Sequence, residues 1–120
     1  NGNQVLRSYE VSMIKKATNI IDFGLADLDS VEKLAEEVGI NVNKLQQGFK
    51  LMHQTTVNGY IQHRRMLHAK TLLNDTDFNI SEIVEKLGLS SKSYFSKIFK
   101  ETYGISPSEF RQNNKKLRME

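Results

Sequence analysis

Apolar residues recur at three- and four-residue spacing along most of the chain, and no stretch alternates apolar with polar as a half-buried strand would. The pattern predicts an all-α fold of about seven helices. The first runs roughly from Glu10 to Phe23, with Ile14, Ala17, Ile20 and Ile21 as its inner stripe. Ser30 then stands where an N-cap belongs, and Glu32 falls in the dipole-favoured first turn. Leu34, Ala35 and Val38 face inward, and Gly39 supplies a left-handed exit. Asn41 caps a following helix whose Leu45, Phe49 and Met52 share one side.

The same pattern is written a second time. Asn79 and Glu82 form a capping box ahead of Ile83, Val84 and Leu87, which match Leu34, Ala35 and Val38 at an offset of 49, and Gly88 matches Gly39. Ser90 is the expected cap of the next helix. There Phe95 and Phe99 match Leu45 and Phe49 at an offset of 50, so the second turn gains one residue. Thr56 with Ser106 and Tyr60 with Phe110 continue the match. Each copy has the grammar of a helix-turn-helix: a short helix, a Gly-containing turn and a second helix held across it. Val57 to Asn74 reads as one long linking helix that offers Tyr60, Ile61, Leu67, Leu72 and Leu73 for packing. The expected organisation is a tail or linker over 1–9, a first unit over 10–56, the linking helix over 57–74, a second unit over 75–112 and a basic tail over 113–120.

Charge placement changes this picture more than the net charge of +3 does. No Asp or Glu lies between Asn41 and Asn74, a stretch holding Lys44, Lys50, Arg64, Arg65 and Lys70. None lies from Lys86 to Lys100, which adds Lys92 and Lys97. Such stretches suit a polyanionic partner. The absence of Cys excludes disulfides and thiolate metal sites. No apolar run reaches the ~20 residues of a membrane span, and the polar start Asn1-Gly2-Asn3-Gln4 is no signal peptide, so a cytoplasmic protein is expected. His53, His63 and His68 do not share one helix face, and no nucleophile motif or phosphate loop is present. The expectation is therefore no metal, no cofactor, no enzyme activity and no small-molecule site in this stretch of chain.

Leu34-Ala35, Val38-Gly39, Leu45, Phe49-Lys50, Tyr60, Arg65, Ala69 and Leu72-Leu73 belong to a wider set. It continues through Ile80-Ser81-Glu82-Ile83, Gly88, Ser93-Tyr94-Phe95-Ser96 and Phe99-Lys100 to Gly104-Ile105-Ser106-Pro107-Ser108-Glu109-Phe110-Arg111. At these positions, over about residues 10–112, the chain resembles the DNA-binding domain of the AraC/XylS family of bacterial transcription regulators. The resemblance implies two recognition helices, roughly Val42–His53 and Ser91–Thr102, in successive major-groove segments of double-stranded operator or promoter DNA. It also implies action at the bacterial nucleoid, contact with RNA polymerase, and an effector-sensing domain elsewhere in a longer protein.

By position in the family motif, Asn43, Gln46 and Gln47, with Lys92, Ser93, Ser96 and Lys97, are the expected base readers. Lys44, Lys50 and Lys100 are the expected phosphate contacts. Thr56 and Ser106 begin helices, whose N-termini attract phosphate; the alternative is that these caps only stabilise. Arg65 is either a phosphate contact or a tie between the linking helix and a neighbouring unit. Two positions depart from the motif: Gln54 stands where Gly104 ends the second recognition helix, and Gly48 lies inside the first, where close approach of another helix would explain it. The run Leu45 to Lys50 with Thr55-Thr56-Val57 and Tyr60 is similar to the branch regulating siderophore and iron uptake. The rival reading is a helical protein-interaction module that kept the fold without specific DNA binding, with an apolar patch around Leu51 and Met52.

Overall fold

The computed structural model describes residues 6–119; residues 1–5 of the expected tail, and residue 120, lie outside the described residues. Among these the chain forms α1 (Ser8–Phe23), a 3₁₀ turn (Leu25–Asp27), α2 (Val31–Val38), α3 (Val42–His53), α4 (Val57–Asp75), α5 (Ile80–Leu87), α6 (Lys92–Tyr103) and α7 (Pro107–Met119), with no strand. Residues 113–119 continue α7.

Two compact units meet between Arg64 and Arg65, inside α4. In the first, Ile14, Ala17 and Ile21 of α1 pack with Leu34, Ala35 and Val38 of α2, Leu45 and Phe49 of α3, and Val57 at the start of α4. In the second, Met66, Ala69, Leu72 and Leu73 of α4 pack with Ile83, Val84 and Leu87 of α5 and with Phe95, Ile98 and Phe99 of α6. Of the residues expected to pack on α4, Leu67 is exposed; Met66 takes the buried place beside it, one residue earlier.

The turns follow from their caps. Ser30 and Asn41 accept from the Lys33 and Lys44 amides, and Asn79 with Glu82 forms the reciprocal capping box. The cap of α6 is Ser91, whose hydroxyl accepts from Tyr94 N–H, rather than Ser90. The added residue sits before that cap, so the second turn covers 88–91 and the first 39–41. Gly39 and Gly88 are left-handed at φ +83° and +73°, and Ile40 and Leu89 N–H groups reach back to Ala35 and Val84 carbonyls, closing both first helices in the same way. Gln54 adopts φ +59° at the end of α3, so the exit matches that of Gly104 without a glycine.

Candidate nucleic-acid interface

Each unit presents its second helix by the same device. Residues one and two turns apart on α3 and α6 anchor the inner face, and an aromatic trio backs it. Phe49, His53 and Tyr60 have ring centroids 4.4–5.6 Å apart in the first unit. In the second, Phe99 lies 4.8 Å from Tyr103 and 5.7 Å from Phe110, at positions 50 residues later. Gly48 is buried against α1, where a Cβ would overlap the Ile14 side chain, so any larger residue there requires Ile14 to move.

The outer faces are polar. On α3, Asn43, Gln47 and Lys50 are exposed; on α6, Lys92, Ser93, Lys97 and Lys100 are exposed and Ser96 is half-buried. α3 contains no carboxylate, and the only one on α6 is Glu101, near its end. Tyr94, 44 % exposed between Ser93 and Lys97, belongs to the same face and was not singled out as a site residue. Its sequence signal is an aromatic off the Phe95 and Phe99 stripe.

Several expected contacts are engaged within the protein. Lys44 Nζ lies 3.4 Å from the buried Glu10 carboxylate. The Arg7 N–H bond holds the Glu10 carboxyl below the usual range against the opposing effect of burial, with Lys44 adding to the lowering. Gln46 Oε1 accepts from Val57 N–H at 3.0 Å. Arg64 Nε lies 3.1 Å from Asp22, which also accepts from Tyr60 at 2.8 Å; burial, with that bond, pushes the Tyr60 hydroxyl up to about 12. Lys70 lies over the Tyr103 ring and Lys86 over the Phe78 ring, at 4.6 and 4.5 Å. Burial lowers the Arg65 guanidinium from its ordinary value, and Tyr94 on α6 opposes this electrostatically. The basic stretches thus divide: Lys50, Lys92, Lys97 and Lys100 remain on the outer faces.

Thr56 and Ser106 both cap, accepting from the amides of Gly59 at 3.0 Å and Glu109 at 3.1 Å; Ser106 N–H is returned to the Glu109 carboxylate. His53 Nε2 lies 2.9 Å from Thr18 Oγ1, and burial depresses its pKa despite the opposing charge of Asp22. Among the described residues no three His, Asp or Glu side chains gather to hold a metal, and no helix is long and apolar enough to cross a membrane.

Two tandem helix-turn-helix units, each with a carboxylate-poor outer helix, define an all-α regulator-type domain. The chain belongs to the helix-turn-helix domain family of AraC type, whose profile matches residues 34–113. It is 35% identical over 101 residues to the regulatory protein PocR of Salmonella typhimurium, a match covering 84% of this chain and 33% of that protein. The chain spans about a third of the length of PocR and of several other curated relatives it matches. Its fold is similar to the C-terminal domain of the two-component response regulator yesN from Fusobacterium nucleatum, with a TM-score of 0.75, 30% identity, and coverage of 81% of this chain and 95% of that one. It is also similar to the DNA-binding domain of the global transcriptional factor AdpA, solved with a target DNA, with a TM-score of 0.84 over 89% of this chain and 96% of that one; at 20% identity this likeness concerns the fold.

Proposed function

We propose that this domain binds double-stranded DNA sequence-specifically as the DNA-binding part of a bacterial transcription regulator, with α3 and α6 each entering a major-groove segment. The observation that carries this reading is the repeated one: two capped helices present polar outer faces at equivalent positions, basic or amide-bearing and poor in carboxylates. Asn43 and Gln47 on α3, and Lys92, Ser93, Ser96 and Lys97 on α6, are the base readers. Lys50 and Lys100 hold phosphates, as do the capped N-termini at Thr56 and Ser106. Lys44 and Arg65 contribute charge near the DNA while held by their own units. On this reading the domain works in the cytoplasm at the nucleoid, is not an enzyme, and acts on transcription through contact with RNA polymerase. The run from Leu45 to Lys50 supports the siderophore and iron-uptake branch; a selected operator that maps to such promoters is its test.

The interaction-module reading loses support at its apolar patch, because Met52 is packed against the first core and leaves Leu51 alone, 40% exposed. Selection of bound sequences from a random pool, followed by titration at several salt concentrations, tests the proposal. A site should be enriched, and log affinity should fall with log salt by about 0.9 per neutralised phosphate. Gln47→Ala or Lys97→Ala should cost about 1–3 kcal/mol on that site and less on random DNA. Lys50→Ala should weaken both alike. No enrichment with a flat salt response overturns the reading.

A further inference from the structure

Gln46 and its repeat counterpart Ser96 occupy the same place on the two outer helices, and the residues they would serve also differ. Val57 and Pro107, again 50 residues apart, are the first residues of α4 and α7. The first N–H of a helix has no intrahelical acceptor. Val57 is fully buried, so its N–H has little access to water and needs a protein partner. Gln46 Oε1 supplies it at 3.0 Å, a contact across the corner between α3 and α4. Pro107 is buried at the same point of the second unit and has no N–H. There Ser96, too short to span such a corner, stands in place of Gln46, and none of the described hydrogen bonds uses its hydroxyl.

We infer that Gln46 is a positioning residue, which fixes how α3 leaves the corner with α4, and that Pro107 removes the same task from Ser96 and leaves that hydroxyl to DNA. The base-specific contacts of the two helices are therefore unequal: α3 reads with Asn43 and Gln47, whereas α6 reads with Lys92, Ser93, Ser96 and Lys97. The inference rests on the reading of α3 and α6 as recognition helices, but the corner contact stands apart from it.

The test uses the whole domain with Gln46→Ala, Val57→Pro and the double substitution. Gln46→Ala leaves the Val57 N–H without an acceptor. It should lower Tm and weaken binding to the selected site by about two- to tenfold, the effect of one neutral hydrogen bond, with base preference unchanged at every position. The double variant has neither donor nor acceptor, and should recover both Tm and the ratio of selected-site to random-DNA affinity. Relaxed preference at one base position in Gln46→Ala, persisting in the double variant, overturns the positioning role. Amide exchange keeps the test decisive if Val57→Pro does not fold. The Val57 N–H should be protected in the parent and lose about tenfold in protection in Gln46→Ala, and equal rapid exchange in both overturns the inference. If the parent domain selects no DNA, the DNA-binding reading fails while Tm and Val57 exchange still report on the corner. Ser96→Ala should relax preference within the α6 half-site, and unchanged preference there overturns the second half of the inference.

Discussion

Behind a similar apolar and aromatic core, the first unit adds polar contacts from α1 to α3 and α4, whereas the second adds a cation over a ring and one guanidinium at the end of α4. Thr18 of α1 meets His53, Asp22 of α1 receives Tyr60 and Arg64, and Lys44 reaches Glu10. In the second unit the segment of α4 from Met66 to Leu73 stands where α1 stands in the first. Ile14, Ala17 and Ile21 correspond to Met66, Ala69 and Leu73 at an offset of 52, and all six are buried. Thr18 then corresponds to Lys70, and His53 to Tyr103, so a hydrogen bond in one unit is a cation over a ring in the other. Tyr60 corresponds to Phe110: the hydroxyl is present in the unit whose supporting helix offers Asp22, and absent where Asn74 stands instead. Side-chain identity in each unit thus follows from what its supporting helix presents, while the caps and the apolar stripe stay constant.

The largest expected break in this comparison is at Arg111, which has no polar counterpart because the first unit carries Ile61 there. Arg111 donates to the carbonyls of Leu72, Leu73, Thr76 and Phe78, closing the C-terminal end of α4 and the loop before α5. These are part-buried bonds to a charged donor, of the class worth about 1.5–3 kcal/mol. Arg111→Met should lose at least that amount in denaturant unfolding, and Arg111→Lys should restore only part, since an ammonium cannot span the fork. Amide exchange should rise around 72–80 and much less in α2 and α3. A uniform rise would mean that the two units do not respond separately.

A somewhat smaller effect should come from Gly48, matched in the repeat by Ile98. Ile14 presses on Gly48 in the first unit, whereas the corresponding residue facing the second core is the flexible Met66, in the same cluster as Ile98. Gly48→Ala should therefore cost about 1–3 kcal/mol through overpacking, even though Ala is the better helix former by about 1 kcal/mol. Combined with Ile14→Val, the loss should be less than the sum of the single losses, a coupling that a double-mutant cycle measures. Additive losses would place the constraint on Gly48 elsewhere.

Apart from the cap of α6, which is Ser91 and not Ser90, the caps, the glycine turns and the repeat at offsets of 49 and 50 were legible because each depends on local chemistry: an acceptor side chain, a left-handed residue, an apolar pair one turn apart. The correspondence of α1 with the second half of α4 was hidden by its different offset, three residues larger than the 49 of the α2 and α5 match; the first unit spends three residues on the 3₁₀ turn Leu25–Asp27. A helix whose halves bury residues in two cores also shows no single stripe, which is why Leu67 reads as inner and Met66 does not. The outer faces were legible as polar but not as engaged. Nothing in the sequence says that Lys44, Arg64, Lys70 and Lys86 find partners, because those partners lie on other elements.

The smallest expected effect tests whether the two recognition helices end for the same physical reason. Gln54 and Gly104 both take left-handed backbone, at φ +59° and +83°, and both N–H groups bond back to Lys50 and Lys100 carbonyls. A residue with a Cβ is strained there by roughly 1 kcal/mol, and glycine is not. Gln54 has one partial compensation, a 3.3 Å bond from its side-chain nitrogen to the Leu51 carbonyl, at an exposed site where such bonds add little. Gln54→Gly should therefore raise stability by up to about 1 kcal/mol, even after the larger entropy of glycine in the unfolded chain is counted. Gly104→Gln should lower it by a similar amount, with no steric contribution, since a Cβ at Gly104 meets nothing within 4 Å. Thermal denaturation of the two variants measures both signs. Loss of stability in Gln54→Gly would mean that the side chain, rather than the backbone, decides how α3 ends, and the two exits would then share a conformation without sharing a cause.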